Sequence, residues 1–311
     1  MYDVITTGSA LVDIFVDTGL KEIKGKKRGL IAYPAGAKIA VQDLKFSIGG
    51  GGTNTAVAFS RLGLKTAYLG KIGNDEAAKQ ILDLLKKEKI NFVGKQKDCI
   101  SGHSIVLDSF EHHRTILTYK GPSDELKFDE INLNKLKTKW IYFASAMKDT
   151  FKTQEKLAEF AEKKGIKIAF NPSEYEVEQG ARYLKKILTK TNVLILNRNE
   201  ASILTKKKDM KKILFGLIRL GPDAVCVTDG NKMIYAYDGC EIFTLKPHNI
   251  KLAETTGAGD AFASGFVACL IKGKDIPFAM KVGLVNSESV VQHYGAKNIL
   301  LTWDEVLKKI E

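Results

Sequence analysis

Residues 166–200 read IKIAFNPSEYEVEQGARYLKKILTKTNVLILNRNE. Two runs of strand length, IKIAFNP (166–172) and VLILNRNE (193–200), are rich in β-branched and apolar residues. Between them EQGARYLKKILTK (178–190) carries apolar residues at three- and four-residue steps. Strand, amphipathic helix, strand is the unit of a parallel sheet, because parallel neighbours need a crossover long enough to return the chain. The alternation extends in both directions, through WIYFASA (140–146) and QEKLAEFAEKKG (154–165) upstream and AVCVTDG (224–230) downstream. WIYFASA and VLIL are nearly continuous apolar runs, as expected where helices cover both faces of a sheet. The stretch therefore predicts an α/β fold with a mostly parallel central sheet.

Polar residues gather at the carboxyl ends of these runs: Asn171, then Asn197 with Glu200, then Thr228, Asp229 and Gly230. Asn, Asp and Gly are ordinary turn formers, so each strand end taken alone needs no further explanation. Their recurrence points to a site, because open α/β sheets bind ligands outside the carboxyl ends of their strands. Residues 14–48 and 98–122 differ from the rest. They hold short alternating segments (KIAVQDLKFSI, SGHSIVLDSF, HRTILTYKG) that read as antiparallel ribbons, a small sheet projecting from the core as a lid. No internal repeat or linker divides the chain, so residues 1–311 are expected to form one domain with the lid inserted.

Composition bounds the partners. At 311 residues, 44% hydrophobic and 27% charged, the chain can bury a core without metals or disulfides. Cys99, Cys226, Cys240 and Cys269 stand far apart with no CxxC pair, which suits reduced thiols and excludes a disulfide framework. No apolar run approaches the roughly 20 residues of a membrane span, and MYDVITTGSALVDIF has an acid at position 3 and no basic leader. A cytoplasmic protein with no membrane partner is expected. The net charge of +12 raises nucleic acid as a partner. The lysines, however, fall in KGKKR (24–28), KKEK (86–89) and KKKDMKK (206–212), mixed with acids and without interleaved aromatics, so a solvated surface and no nucleic acid are expected.

The chemistry is concentrated in two glycine-rich stretches. In ETTGAGDAFASGF (254–266), Thr255 and Thr256 suit a helix N-cap, and Phe262, Phe266, Cys269 and Leu270 recur at helical spacing. Free N–H groups and the positive end of the helix dipole would converge on Gly257, Ala258 and Gly259. Asp260 would repel a resting pyrophosphate there, and Phe262 replaces the third glycine of a dinucleotide turn. The arrangement suits a turn that holds charge developing during transfer while Asp260 takes a proton from an attacking hydroxyl. The second stretch, SIGGGGTNTAVAFSRLG (47–63), allows close backbone approach at Gly50 and Gly51 and presents the amide of Asn54. No Lys-Ser or Lys-Thr follows, so it is not a Walker P-loop.

Together these stretches resemble the two signatures of the PfkB/ribokinase family of small-molecule kinases. GGGTN with Ala56, Gly63 and Gly73 matches the first, continuing into LGKIGND (69–75), and TTGAGDAFASG matches the second. NRNE (Asn197 to Glu200) fits the family's NxxE element, and GSALVD ends at Asp13 where an early aspartate contacts substrate hydroxyls. The resemblance runs from about residue 3 to 300. It implies a ribokinase-like three-layer sandwich with a β-lid, and a kinase that uses ATP and Mg²⁺. Asp260 would be the general base, with Gly257, Ala258 and Gly259 forming the anion hole. Asp13, Gly50, Gly51 and Asn54 would bind the acceptor. Asn197, Thr228, Gly230, Thr256 and Asn286 would meet the nucleotide, and Glu200 with Asn197 would hold Mg²⁺ through water.

The resemblance also implies a homodimer formed through the lid and, in several relatives, a K⁺ site at the loop before TTGAGD. Two positions depart from the pattern: Glu254 replaces the usual Asp, Asn or Ser, and Met233 replaces the last glycine of the nucleotide loop in TDGNKM. The expected acceptor is a ribose- or fructose-like sugar. A nucleoside such as adenosine or cytidine is the alternative, with Phe110, Tyr119 or Tyr33 stacking on its base. A non-catalytic nucleotide-binding regulator is a further alternative, against which the retained Asp260 argues. Secondary candidates are His103 as an acceptor contact, Arg114 and Lys120 as partners of an acceptor phosphate, and His112 and His113 as solvated turn residues.

Overall fold

Strands and helices alternate through most of the chain in a computed structural model that describes residues 1–20, 23–24, 29–108, 114–250, 257–292 and 299–310. Among the described residues the central sheet has nine strands. In spatial order they are Ile242–Leu245, Ile234–Tyr237, Ala224–Thr228, Val193–Asn197, Lys167–Asn171, Thr138–Ala144, Tyr2–Thr7, Thr66–Leu69 and Asn91–Phe92. All neighbours are parallel except the pairs involving 234–237, which are antiparallel to both 224–228 and 242–245. Alternation along each buried strand divides the core in two. Ile141, Phe143, Ile168 and Phe170 pack with Leu157, Leu184 and Leu217 on one face, while Trp140, Tyr142 and Ala169 pack with Phe59, Phe262 and Phe266 on the other. Burying both faces in this way gives the three-layer sandwich.

The predicted strands are observed with shifted ends, and the helix expected at 178–190 is observed as Ala181–Leu188, after a separate short helix Glu174–Glu178. Gly180, at φ 84°, separates them, a backbone region that favours glycine. Helices Gly51–Arg61 and Ala258–Ile271 pack against one another on the same side of the sheet. Helix 258–271 lies close to Ile276–Val291, since a Cβ added to Gly265 would come 3.0 Å from the Cα of Gly283. Gly265, the last residue of TTGAGDAFASG, is thus a packing residue.

A second sheet projects from the carboxyl side of the first. Its order is Arg114–Tyr119, Gly102–Asp108, Leu11–Asp17, Asp43–Gly49. The lid expected over 14–48 and 98–122 is present, but it begins at Leu11, and its two inner strands pair in parallel. Cross-strand partners share a face of a pleated sheet. Asp13, Ser47, Ser104 and Thr118 stand in one row, and Val12, Ile48, His103 and Tyr119 stand in the next row on the opposite face. The ribbon is anchored at its root by Ser123, whose Oγ accepts from Ala10 N at 3.2 Å and donates to Ala10 O at 3.3 Å.

Candidate active site at the carboxyl edge of the sheet

Ala144, Asn171, Asn197 and Thr228 end neighbouring strands and stand side by side, with Ala144 beside Asn171 and Asn197 beside Thr228. They line a cleft of about 330 Å³ together with Ser9, Gly51, Ser145, Ser173, Glu200, Gly257, Gly259 and Asp260. The sheet supplies the floor, and the amino ends of helices 51–61 and 258–271 converge on it. Residues from the two glycine-rich stretches, more than 200 positions apart in sequence, therefore meet. Their link is direct, for Asn54 Nδ2 donates to Asp260 Oδ2 at 2.8 Å.

Each half of this pair has a local cause. Gly257 at φ 81° turns the chain into helix 258–271, whose first N–H groups have no intrahelical acceptor. The cleft is lined there by Gly257, Gly259 and Asp260, so donors and a carboxylate face one space. Gly50 at φ 94° does the same for helix 51–61. A side chain at Gly51 would stand 3.5 Å from Asp260 Oδ1, in the space a ligand must occupy. Asn54 is 6% exposed, and its Oδ1 is buried without a hydrogen-bond partner among the described residues. Leaving such an acceptor unmet costs about 1–3 kcal/mol, which a ligand hydroxyl reaching it would offset. Asp13, 9% exposed, occupies the lid root with its carboxylate lying where a side chain at Gly49 would have to be.

The nucleotide side is more mixed. Asn197 and Glu200 form a capping box: Asn197 Oδ1 accepts from Glu200 N at 2.9 Å, and Glu200 Oε2 accepts from Asn197 N at 2.9 Å. NRNE thus starts a helix as well as lining the cleft. Burial, with further contributions from Glu174 and Glu176, pushes the Glu200 carboxyl up to about 7. Thr228 lines the cleft, but Gly230, at φ 58° and with open space around it, belongs to the turn beyond. That turn is held by an ion pair from Arg198 Nη1 to Asp229 Oδ2 at 2.7 Å.

Several expected contacts are not brought to the site. Asn286 is fully buried; its Nδ2 donates to Ala261 O at 2.8 Å and its Oδ1 accepts from Leu301 N at 3.2 Å. Both ends of the amide are spent joining helix 276–291 to its neighbours, and so Asn286 is corrected from nucleotide contact to packing residue. His103 and Tyr119 stand on the lid face opposite Asp13, so neither is placed to touch an acceptor held there. Thr256 lies outside the described residues, as do Glu254, Phe110, His112 and His113, and the side chain of Arg114 is not described. Cys99, Cys226, Cys240 and Cys269 are free thiols.

Sequence reasoning passed over Ser9, Ser145 and Ser173 as lining residues. Ser145 Oγ donates to Ser173 Oγ at 2.7 Å, and the Ser173 N–H donates to Glu176 Oε2 at 2.8 Å. Serines after a strand look like any turn, and only the strand order puts them beside Asp260. Among the described residues no helix is long and apolar enough to cross a membrane, and no cluster of three or more His, Cys, Asp or Glu is arranged to hold a metal.

Residues 19–303 match the pfkB family carbohydrate kinase pattern. A protein of Archaeoglobus fulgidus described as an uncharacterized sugar kinase is 30% identical over 78% of this chain and 97% of its own length. Among solved structures, adenosine kinase from Sinorhizobium meliloti superposes with a TM-score of 0.84 at 21% identity, covering 100% of this chain and 99% of that one. An E. coli ribokinase II solved with ATP and Mg²⁺ gives 0.84 at 18% identity, again covering 100% and 99%. At these identities the structures establish the fold.

Proposed function

This chain belongs to the pfkB family of carbohydrate kinases, and from that membership we propose that it transfers the γ-phosphoryl group of ATP to a hydroxyl of a ribose- or fructose-like sugar. The observation that carries the reading is the Asn54–Asp260 hydrogen bond at the mouth of two helix amino ends. The whole chain, 1–311, acts as one catalytic unit in this reading, with the lid over the acceptor.

Each residue's part follows from its place. Asp13 and Asn54 accept hydrogen bonds from acceptor hydroxyls and orient the reacting one toward Asp260. Asn54 holds Oδ2 of that carboxylate, so the base is aimed before the acceptor arrives. Asp260 removes the hydroxyl proton as the oxygen attacks phosphorus, and the bond from phosphorus to the bridging oxygen of ADP breaks. N–H groups at the start of helix 258–271 face the transferring group and stabilise its charge, with Gly257, Ala258 and Gly259 as the anion hole. Thr228 bounds the nucleotide side, and Thr256, outside the described residues, is assigned to it by the family resemblance alone. Mg²⁺ supplies charge neutralisation on the nucleotide phosphates when bound, and Asn197 with Glu200 fit it as oxygen donors acting through water. A K⁺ site near Glu254 belongs to the same proposal.

A nucleoside acceptor is favoured less, because Tyr119 is turned to the wrong face and Tyr33 is exposed. A panel of sugars, sugar phosphates and nucleosides scored for ADP release tests the reading. Absence of ADP release with every acceptor, alongside tight ATP binding, would favour the nucleotide-binding regulator.

Glu200 gives a pH prediction. Its folded carboxyl keeps a proton up to about pH 7, whereas the usual value is 4.5. Between those values, rising pH removes stability from the protein without ligands, and Mg²⁺ needs the ionised form. Apparent Mg²⁺ affinity should therefore weaken as pH falls below about 7. Glu200→Gln, which can still close the capping box, should raise the Tm of the ligand-free protein at pH 8, weaken Mg²⁺ binding and flatten its pH dependence. Calorimetric titration and thermal denaturation across pH read all three.

The lid also supports a homodimer. On the face opposite Asp13, Phe46, Ile105 and Leu117 share one row, and they are 62%, 38% and 54% exposed. Leu44, 48% exposed, lies two rows beyond, on the same face. An exposed apolar patch of this kind marks an interface. Phe46→Asp with Leu117→Asp should halve the mass seen by light scattering; a wild-type protein that is monomeric at micromolar concentration would remove the dimer.

A further inference from the structure

A second depression opens at the amino edge of the central sheet, away from the active cleft. It measures about 210 Å³ and is lined by Tyr2, Lys65, Asn91, Asn134, Lys135 and Lys137. These residues come from four segments far apart in sequence, which meet where strands 2–7, 66–69, 91–92 and 138–144 begin. Tyr2 N donates to Lys137 O at 2.8 Å and Asp3 N to Lys65 O at 2.8 Å, so the first strand is held between the two that follow lysines. Strand 2–7 has six residues and its neighbour 138–144 has seven. At ~3.3 Å per residue the depression lies ~20 Å from the active cleft, which those strands reach at Ser9 and Ala144.

Buried neighbours hold the lysines in place. Leu64 and Thr66 are buried on either side of Lys65. Leu136 is buried and Leu133 packs against the same core, which turns Asn134, Lys135 and Lys137 outward. Among the described residues none of the three lysines makes an ion pair. Asp3 is the one acid in these segments; alternation turns it away from Tyr2, and it pairs with Lys139 at 2.8 Å. Uncharged donors complete the lining. Asn91 Nδ2 donates to Tyr2 Oη at 2.9 Å, which leaves the phenolic O–H to donate elsewhere. Asn134 N donates to Asn132 Oδ1 at 3.1 Å, so the turn is closed by backbone and the Asn134 amide is left to the depression. Three ammonium groups around one hollow repel one another, and an anion there removes the repulsion.

The volume lies below the usual ~300–1,000 Å³ of small-molecule pockets, so the ligand is compact. Lysines meet phosphate as point charges, whereas planar bidentate recognition of carboxylate favours arginine, which is missing from the lining. We infer that this depression is a second anion site, separate from the active cleft, and that it takes a small phosphorylated ligand with at least two negative charges. Lys65, Lys135 and Lys137 surround the phosphate, while Tyr2 and Asn134 donate to its oxygens. Bound there, the ligand ties together the starts of strands 2–7, 66–69 and 138–144 and stabilises the folded chain.

Calorimetric titration with inorganic pyrophosphate, in the absence of Mg²⁺, tests this on wild type and two triple variants. One carries Lys65→Gln, Lys135→Gln and Lys137→Gln. The other carries Lys207→Gln, Lys211→Gln and Lys308→Gln, exposed lysines elsewhere on the surface, so both lose the same charge. Wild type is expected to bind pyrophosphate with an affinity that falls as salt rises, and to gain Tm on binding. The first triple should weaken that binding about 10-fold or more relative to the second. Its ADP release from ATP should match wild type, since the active cleft is untouched. Pyrophosphate binding that is unchanged in the folded first triple, or weakened equally in both, overturns the inference. Citrate bound by wild type as tightly as pyrophosphate overturns the assignment to phosphate.

Discussion

Asp260→Asn is expected to lower kcat by about 10²–10⁴, the usual contribution of a general base, while ATP affinity changes little. The substitution is nearly isosteric, and its amide oxygen can still accept from Asn54 Nδ2, which lies 2.8 Å from Asp260 Oδ2. Helix 258–271 should start as before, because its turn is made by Gly257 at φ 81° and by Ala261 N donating to Gly257 O at 2.9 Å. What disappears is a group able to take a proton at neutral pH. Single-turnover measurements should therefore show slow phosphoryl transfer behind normal nucleotide binding. Near-normal turnover in this variant would assign the proton to another acceptor. A fall in ATP affinity equal to the fall in kcat would mean that Asp260 shapes the turn and does not act on the hydroxyl.

Gly50→Ala carries the second large effect, this time on folding. At φ 94° and ψ 133° the residue occupies a region that L side chains rarely adopt, at a cost of about 1–3 kcal/mol. A Cβ there would also overlap the carbonyl oxygen of Ser9, which is backbone and has little room to move, since Ser9 O accepts from Gly52 N at 3.1 Å. The combined loss should exceed about 3 kcal/mol, a large share of the 5–15 kcal/mol that holds a typical domain. Urea denaturation should show a lower midpoint with an unchanged slope. Gly259→Ala is the contrasting case. A Cβ added there meets nothing within 4 Å and points into no packed neighbour, so stability should hold while a new methyl group narrows the cleft at the phosphoryl position. A stable Gly50→Ala would show that the turn can re-form with a different backbone.

The fold was legible from 166–200 because amphipathic helices between buried strands leave a pattern that sequence carries locally. Strand ends moved by up to three residues, and the helix expected at 178–190 starts only after Gly180, its N-cap. The site was legible only where a residue's chemistry conflicts with its surroundings, as a carboxylate at a helix amino end does. Asn286 shows the opposite case. A fully buried amide and a ligand-binding amide read alike in sequence, and its partners, Ala261 and Leu301, are 25 and 15 residues away. NRNE caps a helix, and the cation role proposed for it reads the same in sequence, since the residues that cap a helix are those that offer oxygens to a cation.

By itself the sequence determined the layered α/β architecture, the lid, and the identity of Asp260 as the residue with unusual chemistry, because periodicity and turn chemistry act over a few residues. Tertiary structure alone decided which faces those residues share. It set Asn54 against Asp260 across 206 positions and turned His103 and Tyr119 to the lid face opposite Asp13. Those outcomes depend on strand order and register. A shift of one residue in register moves every side chain to the other face of a sheet, and local sequence does not encode that choice.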